Sequence, residues 1–232
     1  MGTLYIVATP IGNLDDITLR AINTLRDVPV VACEDTRHTQ LLLNHLGITN
    51  KRLIACHSHN EAASSQGIVN LLLQGQDVAY CSDAGTPGVS DPGSRLVCAV
   101  RAAGLSIIPI PGPSAVTTLI SASGLQGKTF TFEGFLSPKP GRRRNRLSEL
   151  LTRAEAFVIY ESPFRIQKTL SDLQSLDDTR HIVLGREMTK AFEEFLFGTP
   201  SEVLAQLKVI KGEFALVVLP PDKNVPSEDD DQ

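Results

Sequence analysis

Leu4-Tyr5-Ile6-Val7-Ala8-Thr9-Pro10-Ile11-Gly12-Asn13-Leu14-Asp15-Asp16 carries a short apolar run straight into a proline–glycine loop, and a helical pattern over 18–27 follows. The same unit then recurs. An apolar run at 30–33 leads to a helical pattern at 36–46, one at 53–56 to a helix at 61–74, and one at 77–81 to a helix at 93–103 and a run at 106–110. Short β-rich runs alternating with helices are the pattern of β-α-β units on a parallel sheet. Gly47, Gly75 and Gly104 stand just past three of these helices, where a left-handed terminal residue is easiest for glycine. The first half therefore reads as an α/β lobe with an open parallel sheet.

Beyond Pro111-Gly112-Pro113 and a helix at 114–123 the texture changes. A strand at 129–135 precedes a polar, basic stretch at 137–146, and then come a helix at 147–153, a strand at 156–160, a helix at 164–173 and a strand at 181–186. An extended run at 192–197, a helix at 201–207 and a strand at 213–219 complete it, the extended run being placed to pair antiparallel. The expected organisation is an N-terminal α/β lobe over 1–123, a C-terminal α/β lobe with a mixed sheet over 124–221, and an acidic, disordered tail over 222–232.

The chain has 232 residues, 42% hydrophobic and 21% charged, an ordinary balance for a globular protein. No apolar run reaches the roughly 18–20 residues of a membrane span, and the N-terminus shows no basic leader, so a cytoplasmic location is expected. The formal charge of −4 comes from the tail: its five acids and one lysine, taken from 26 acidic and 22 basic residues, leave 21 of each. A neutral body can meet nucleic acid only through local patches. Cys33, Cys56, Cys81 and Cys98 form no C-x-x-C pair and read as reduced structural thiols.

Three loops that follow first-lobe strands concentrate the glycine and proline: Thr9–Asp16, the twelve-residue Ser82–Gly93 and Pro111–Ala115. Ligands of open α/β sheets bind outside the carboxyl ends of strands. Glycine permits close approach and positive φ, and proline stiffens the turn. Together they make a pre-formed backbone surface suited to the polar edges of a nucleoside. Neither G-x-G-x-x-G after the first strand nor G-x-x-x-x-G-K-[ST] occurs, which excludes dinucleotide and Walker-type sites. The plainer alternative is three tight turns, although the second loop is long for a mere connection.

Val7–Asn13 (VATPIGN), Ser82–Gly93 (SDAGTPGVSDPG) and Pro111–Ala115 (PGPSA) together resemble the tetrapyrrole methylase superfamily. Cys33–Thr39 (CEDTRHT), Phe132–Leu136 (FEGFL), Tyr160–Arg165 (YESPFR) and Arg186–Lys190 (REMTK) resemble its branch of small-subunit ribosomal RNA cytidine 2′-O-methyltransferases. The likeness runs from Leu4 to about Pro220. It implies a two-lobed fold, a homodimer, S-adenosylmethionine as cofactor and 16S ribosomal RNA, free or in the 30S particle, as substrate. It places cofactor contacts at Pro10, Ile11, Gly12, Cys81, Ser82, Asp83, Thr86, Ser114, Ala115, Glu161, Met188 and Thr189. Members of the branch often continue into a C-terminal helical domain, where this sequence has its acidic tail.

A ribose hydroxyl needs a base or a cationic neighbour to react near neutral pH. Glu34, Asp35 and Glu161 are the candidate bases. Arg37 and His38 follow two of them, with Arg37 suited to a phosphate; equally, Asp35 could cap the next helix and pair with Arg37. Lys139, Arg142, Arg143, Arg144 and Arg146 form a basic run that could neutralise RNA phosphates, the alternative being a solvated helix start. Cys56-His57-Ser58-His59 has no second cluster to complete a metal site, so no metal is expected and polar cleft lining or RNA contact is the better reading. Few aromatics and no tryptophan argue against a broad base-stacking platform. Rival readings are a tetrapyrrole C-methyltransferase of the same fold and a non-catalytic RNA-binding assembly factor; no hydrolase elbow is present.

Overall fold

Within Val30–Cys33 the side chains alternate. Val30 and Ala32 join one buried cluster and Val31 and Cys33 another, so this strand is covered on both faces, as a parallel sheet requires. In the computed structural model, which describes residues 1–221, it is β2 of a five-stranded sheet with β1 (Thr3–Val7), β3 (Arg52–Ala55), β4 (Val78–Cys81) and β5 (Ser106–Ile110). The order is β3-β2-β4-β1-β5 and every pairing is parallel. Helices α1 (Leu19–Asp27) and α2 (Thr36–His45) cover one face through Ala21, Leu25 and Leu43. Helices α3 (Glu61–Leu73) and α4 (Ser94–Ala102) cover the other through Ile68, Leu72, Leu96 and Val100.

A second unit begins at Ala115. Its strands are β6 (Phe130–Phe135), β7 (Ala156–Glu161), β8 (Ile182–Arg186), β9 (Glu194–Gly198) and β10 (Phe214–Val218). The order is β6-β7-β10-β8-β9, with β6–β7 parallel and the rest antiparallel. The mixed sheet is as expected, and the extended run does pair antiparallel as β9. Helices α6 (Pro140–Leu151), α7 (Ile166–Leu176) and α8 (Pro200–Gln206) bury Leu147, Leu150, Ile166, Leu170, Leu173 and Val203 on one face. Helix α5 (Ala115–Ala122) packs Val116 and Leu119 on the other.

Two features differ from the sequence reading. The units divide after Ser114 rather than after 123, because Val116 and Leu119 bury against Val158, Val183 and Val217 of the second sheet. The basic stretch is helical from Pro140 onward. Proline is favoured at a first helical position, and acidic partners compensate the cations that a helix N-terminus disfavours. The acidic stretch 222–232 lies outside the described residues.

Candidate functional site

With all strands of the first sheet parallel, the loops after β1, β4 and β5 leave from one rim, and β1 lies between the other two. Hydrogen bonds stitch the three loops together. Thr9 N–H donates to Gly85 O (2.9 Å) and Gly85 N–H to Thr9 O (3.0 Å), an antiparallel bridge between the first loop and the second. The Thr86 hydroxyl donates to Pro113 O at 3.0 Å, joining the second loop to the third. Gly85 takes φ +75°, a left-handed conformation that glycine adopts without strain, at the point where the two loops pair. The rim thus gathers Pro10, Cys81 and Ser82, all buried, with Ile11, Asp83, Thr86 and Ser114 half-buried and Gly12 exposed. Cys81 can offer only backbone, since its side chain is in the core.

The far end of the second loop is held by a residue absent from the sequence-based candidates. Glu61 is buried, and its Oε1 accepts from the backbone N–H of Gly93 (2.9 Å), Arg95 (3.0 Å) and Leu96 (3.4 Å). It is the first residue of α3 and caps α4, so one carboxylate lies at two helix N-termini, whose partial positive charge offsets its burial. A Cβ at Gly93 (φ +127°) would come within 2.7 Å of the Tyr80 ring, and the Tyr80 hydroxyl donates to Cys56 O at 3.2 Å. In sequence Glu61 looks like an ordinary acid at a helix start. Only the packing of α3 beside α4 reveals its second task.

At the ends of β2 and β3 the candidate bases separate. Asp35 caps α2 and accepts from Arg37 at N–H (2.8 Å), Nε (3.1 Å) and Nη2 (2.7 Å), and these bonds hold its carboxyl well below the usual range. Such a carboxylate is a weak base. Arg37 remains 89% exposed beyond this pair, and His38 is also exposed. Glu34 differs. Desolvation first, and the nearby Asp83 second, push its carboxyl up, opposed by a hydrogen bond from Asp83 backbone and by His57. Asp83 Oδ1 in turn accepts Asp35 N–H at 3.0 Å, tying the second loop to the end of β2. Among the described residues no cluster of three or more His, Cys, Asp or Glu forms a metal-binding group.

In the second unit, Glu161 is buried and occupied. It accepts from the Thr169 hydroxyl (2.8 Å), Ser162 N–H (2.8 Å) and Arg165 Nη2 (2.7 Å). It anchors the turn after β7, with Oε1 shared by Ser162 and Arg165 and Oε2 taken by Thr169. Met188 is buried between Glu187 and Thr189, which have φ of +49° and +68°. Left-handed non-glycine residues cost on the order of 1 kcal/mol or more each, and such strain gathers at ligand clamps. Glu187 is held there by Lys190 Nζ (2.8 Å) and Glu213 N–H (2.9 Å).

The basic run divides too. Arg143 is buried and pairs with Asp172 at 2.7 Å; Arg144 reaches the same carboxylate at 3.1 Å; Arg146 pairs with Glu133 and Glu149. These three arginines hold α6 to α7 and to β6. Lys139 and Arg142 are exposed, with no ion pair among the described residues.

The family model for Tetrapyrrole (Corrin/Porphyrin) Methylases matches residues 3–204. The chain is 45% identical to ribosomal RNA small subunit methyltransferase I of Halalkalibacterium halodurans, over 94% of this chain and 75% of that protein. The like-named protein of Xylella fastidiosa is 47% identical over 94% and 81%. The chain belongs to the tetrapyrrole methylase family, in the branch of the ribosomal RNA small subunit methyltransferases I. Solved members of the fold resemble it at lower identity. Diphthine synthase has a TM-score of 0.71 at 14% identity, covering 94% of this chain and 90% of that one. A uroporphyrin-III C-methyltransferase from Thermus thermophilus complexed with S-adenyl homocysteine has a TM-score of 0.62 at 19%, covering 93% and 97%. The three stitched loops of the first unit lie within the family match.

Proposed function

We propose that this protein transfers a methyl group from S-adenosylmethionine to the 2′-hydroxyl of a cytidine in small-subunit ribosomal RNA, and does so as a homodimer in the cytoplasm. The observation that carries this reading is the stitched rim of the first sheet. Backbone from three loops is tied together by the Thr9·Gly85 bridge and the Thr86–Pro113 bond. A surface of glycine backbone, Ser82, Asp83 and Thr86 suits adenosine and an amino-acid moiety. The names of the 45–47% identical relatives support ribosomal RNA as the substrate.

The cofactor, when bound, supplies an electrophilic methyl carbon on a sulfonium. The protein's own part is alignment, worth up to roughly 7–11 kcal/mol for well-held partners, and removal of the hydroxyl proton. Glu34 is the base in this scheme, because burial and the nearby Asp83 raise its carboxyl and so strengthen it as a proton acceptor, whereas Asp35 is held low by Arg37. Arg37, Lys139 and Arg142 meet phosphates. The test is transfer of label from the cofactor to 30S particles, naked 16S RNA or uroporphyrinogen, with the modified nucleotide mapped by mass spectrometry. Label in a cytidine ribose is the expected result. Label in the porphyrin alone would defeat the reading.

A further inference from the structure

The second unit displays aromatic side chains where a soluble domain usually hides them. Phe164 is 88% exposed and Phe135 is 59% exposed. Neither is a random surface residue, since each is presented by a specific backbone device. Between Phe132 and Gly134 the register of β6 on β7 shifts by one residue, and Gly134 takes φ +63° there. An unbroken strand would send Phe132 and Phe135 to opposite faces. The bulge puts both on the face of Tyr160, whose ring meets Phe132 at 5.0 Å and Phe135 at 5.8 Å, each edge-on. Bulges that re-aim a side chain are characteristic of functional edges.

Phe164 stands on the turn after β7, and the turn is rigid. Arg165 N–H donates to Ser162 O at 3.0 Å, Arg165 Nη1 donates to Leu136 O at 3.1 Å, and Arg165 Nη2 pairs with buried Glu161. The bond to Leu136 fixes this turn against the segment that follows Phe135 and leads to Lys139. Phe135, Phe164 and Lys139 therefore belong to one end of the second sheet, with Arg142 three residues into α6. Among the described residues, the cations here are the two members of the basic run that form no ion pair, whereas Arg143, Arg144 and Arg146 meet carboxylates.

We propose that Phe135 and Phe164, backed by Tyr160 and flanked by Lys139 and Arg142, form a stacking surface for a base displaced from the substrate RNA strand. Exposed rings offer a π-face to any base, and adjacent exposed cations meet the phosphates on either side. A rigid presentation keeps the entropy cost of ordering the rings low. The proposal rests on the reading that the substrate is RNA.

The chain has no tryptophan, so F164W places a single fluorescent reporter on this surface. The full chain carrying F164W is titrated with naked 16S RNA and with 30S particles, and L73W, at an exposed position ending α3, serves as the control. Base stacking is expected to quench F164W emission and leave L73W unchanged. F164A is expected to weaken RNA binding by roughly 5- to 150-fold, the range for loss of one stacked base, with S-adenosylmethionine affinity unaltered; F164L is not expected to rescue it. RNA binding with unquenched F164W and unweakened F164A would overturn the stacking surface while leaving the proposed function standing. Quenching by ribosomal proteins freed of RNA, but not by RNA, would overturn it in favour of a protein contact. Failure of the unmutated chain to bind either RNA or particle would overturn the functional reading and the surface with it.

Discussion

Replacing Glu61 by alanine removes one acceptor from three backbone N–H groups, those of Gly93, Arg95 and Leu96 at 2.9, 3.0 and 3.4 Å. The longest of these is weak, leaving two good bonds to a carboxylate, each worth about 1.5–3 kcal/mol net. Water entering the vacated space restores part of the loss, so E61A should cost the first unit about 3 kcal/mol. For a protein of this size that is a fall of roughly 6–12 °C in melting temperature. E61Q keeps an oxygen acceptor and should lose about half as much. The consequence for function follows from where Gly93 lies. It closes the loop whose opening residues are Ser82, Asp83 and Thr86, so freeing it transfers loop ordering into the binding step. S-adenosylmethionine should then bind roughly tenfold more weakly, equivalent to about 1.4 kcal/mol. Scanning calorimetry and titration calorimetry measure the two effects separately. A lowered melting temperature with cofactor affinity unchanged within twofold would refute the reasoning, because the rim bonds alone would then suffice to hold the loop.

E34Q should lower the methylation rate by roughly 10²- to 10⁴-fold and flatten the acid limb of the pH–rate profile; a rate within threefold of the unmutated enzyme would remove Glu34 as base. The same substitution should cost no stability at neutral pH. Burial and Asp83 raise this carboxyl's pKa in the folded chain, so the stabilisation it gives belongs to the protonated form and is lost as pH rises through the folded value. R143M should destabilise by about 3 kcal/mol, since it strands Asp172 without its buried partner, yet leave RNA affinity intact. R142A should do the reverse, weakening RNA binding and reducing the slope of log affinity against log salt by about one, as filter binding at several ionic strengths would show. Alkylation at pH 8 should label Cys98, which is exposed, and spare Cys56 and Cys81, whose thiols burial pushes up to about 11 and about 12; mass mapping of the labelled sites checks this.

Much of the architecture was legible because it is local. The apolar runs at 30–33 and 106–110 became strands with those bounds, and Gly47, Gly75 and Gly104 all take positive φ past helix ends. A strand's two-residue period and a helix end's need for glycine are written in adjacent residues, so no knowledge of the distant chain was required. The glycine–proline loops were legible as loops for the same reason. Basic residues misled because charge pattern alone does not say which side chains meet carboxylates. Asp172 lies 29 residues beyond Arg143 in the sequence, and only the packing of α7 on α6 turns a basic run into an internal pair. The choice among Glu34, Asp35 and Glu161 was likewise tertiary, since a carboxylate's basicity is set by neighbours and burial. Glu61 shows the same dependence most plainly: an unremarkable acid in the sequence becomes the clasp of the longest loop once α3 lies beside α4. The sequence by itself determined most strands, helices and turns, missing the early start of α6 at Pro140, and marked the glycine–proline turns as loops. The tertiary structure decided which arginines of the basic run meet carboxylates, which carboxylates are held by cations and which aromatic rings face solvent, because each of these depends on atoms brought near by folding from far along the chain.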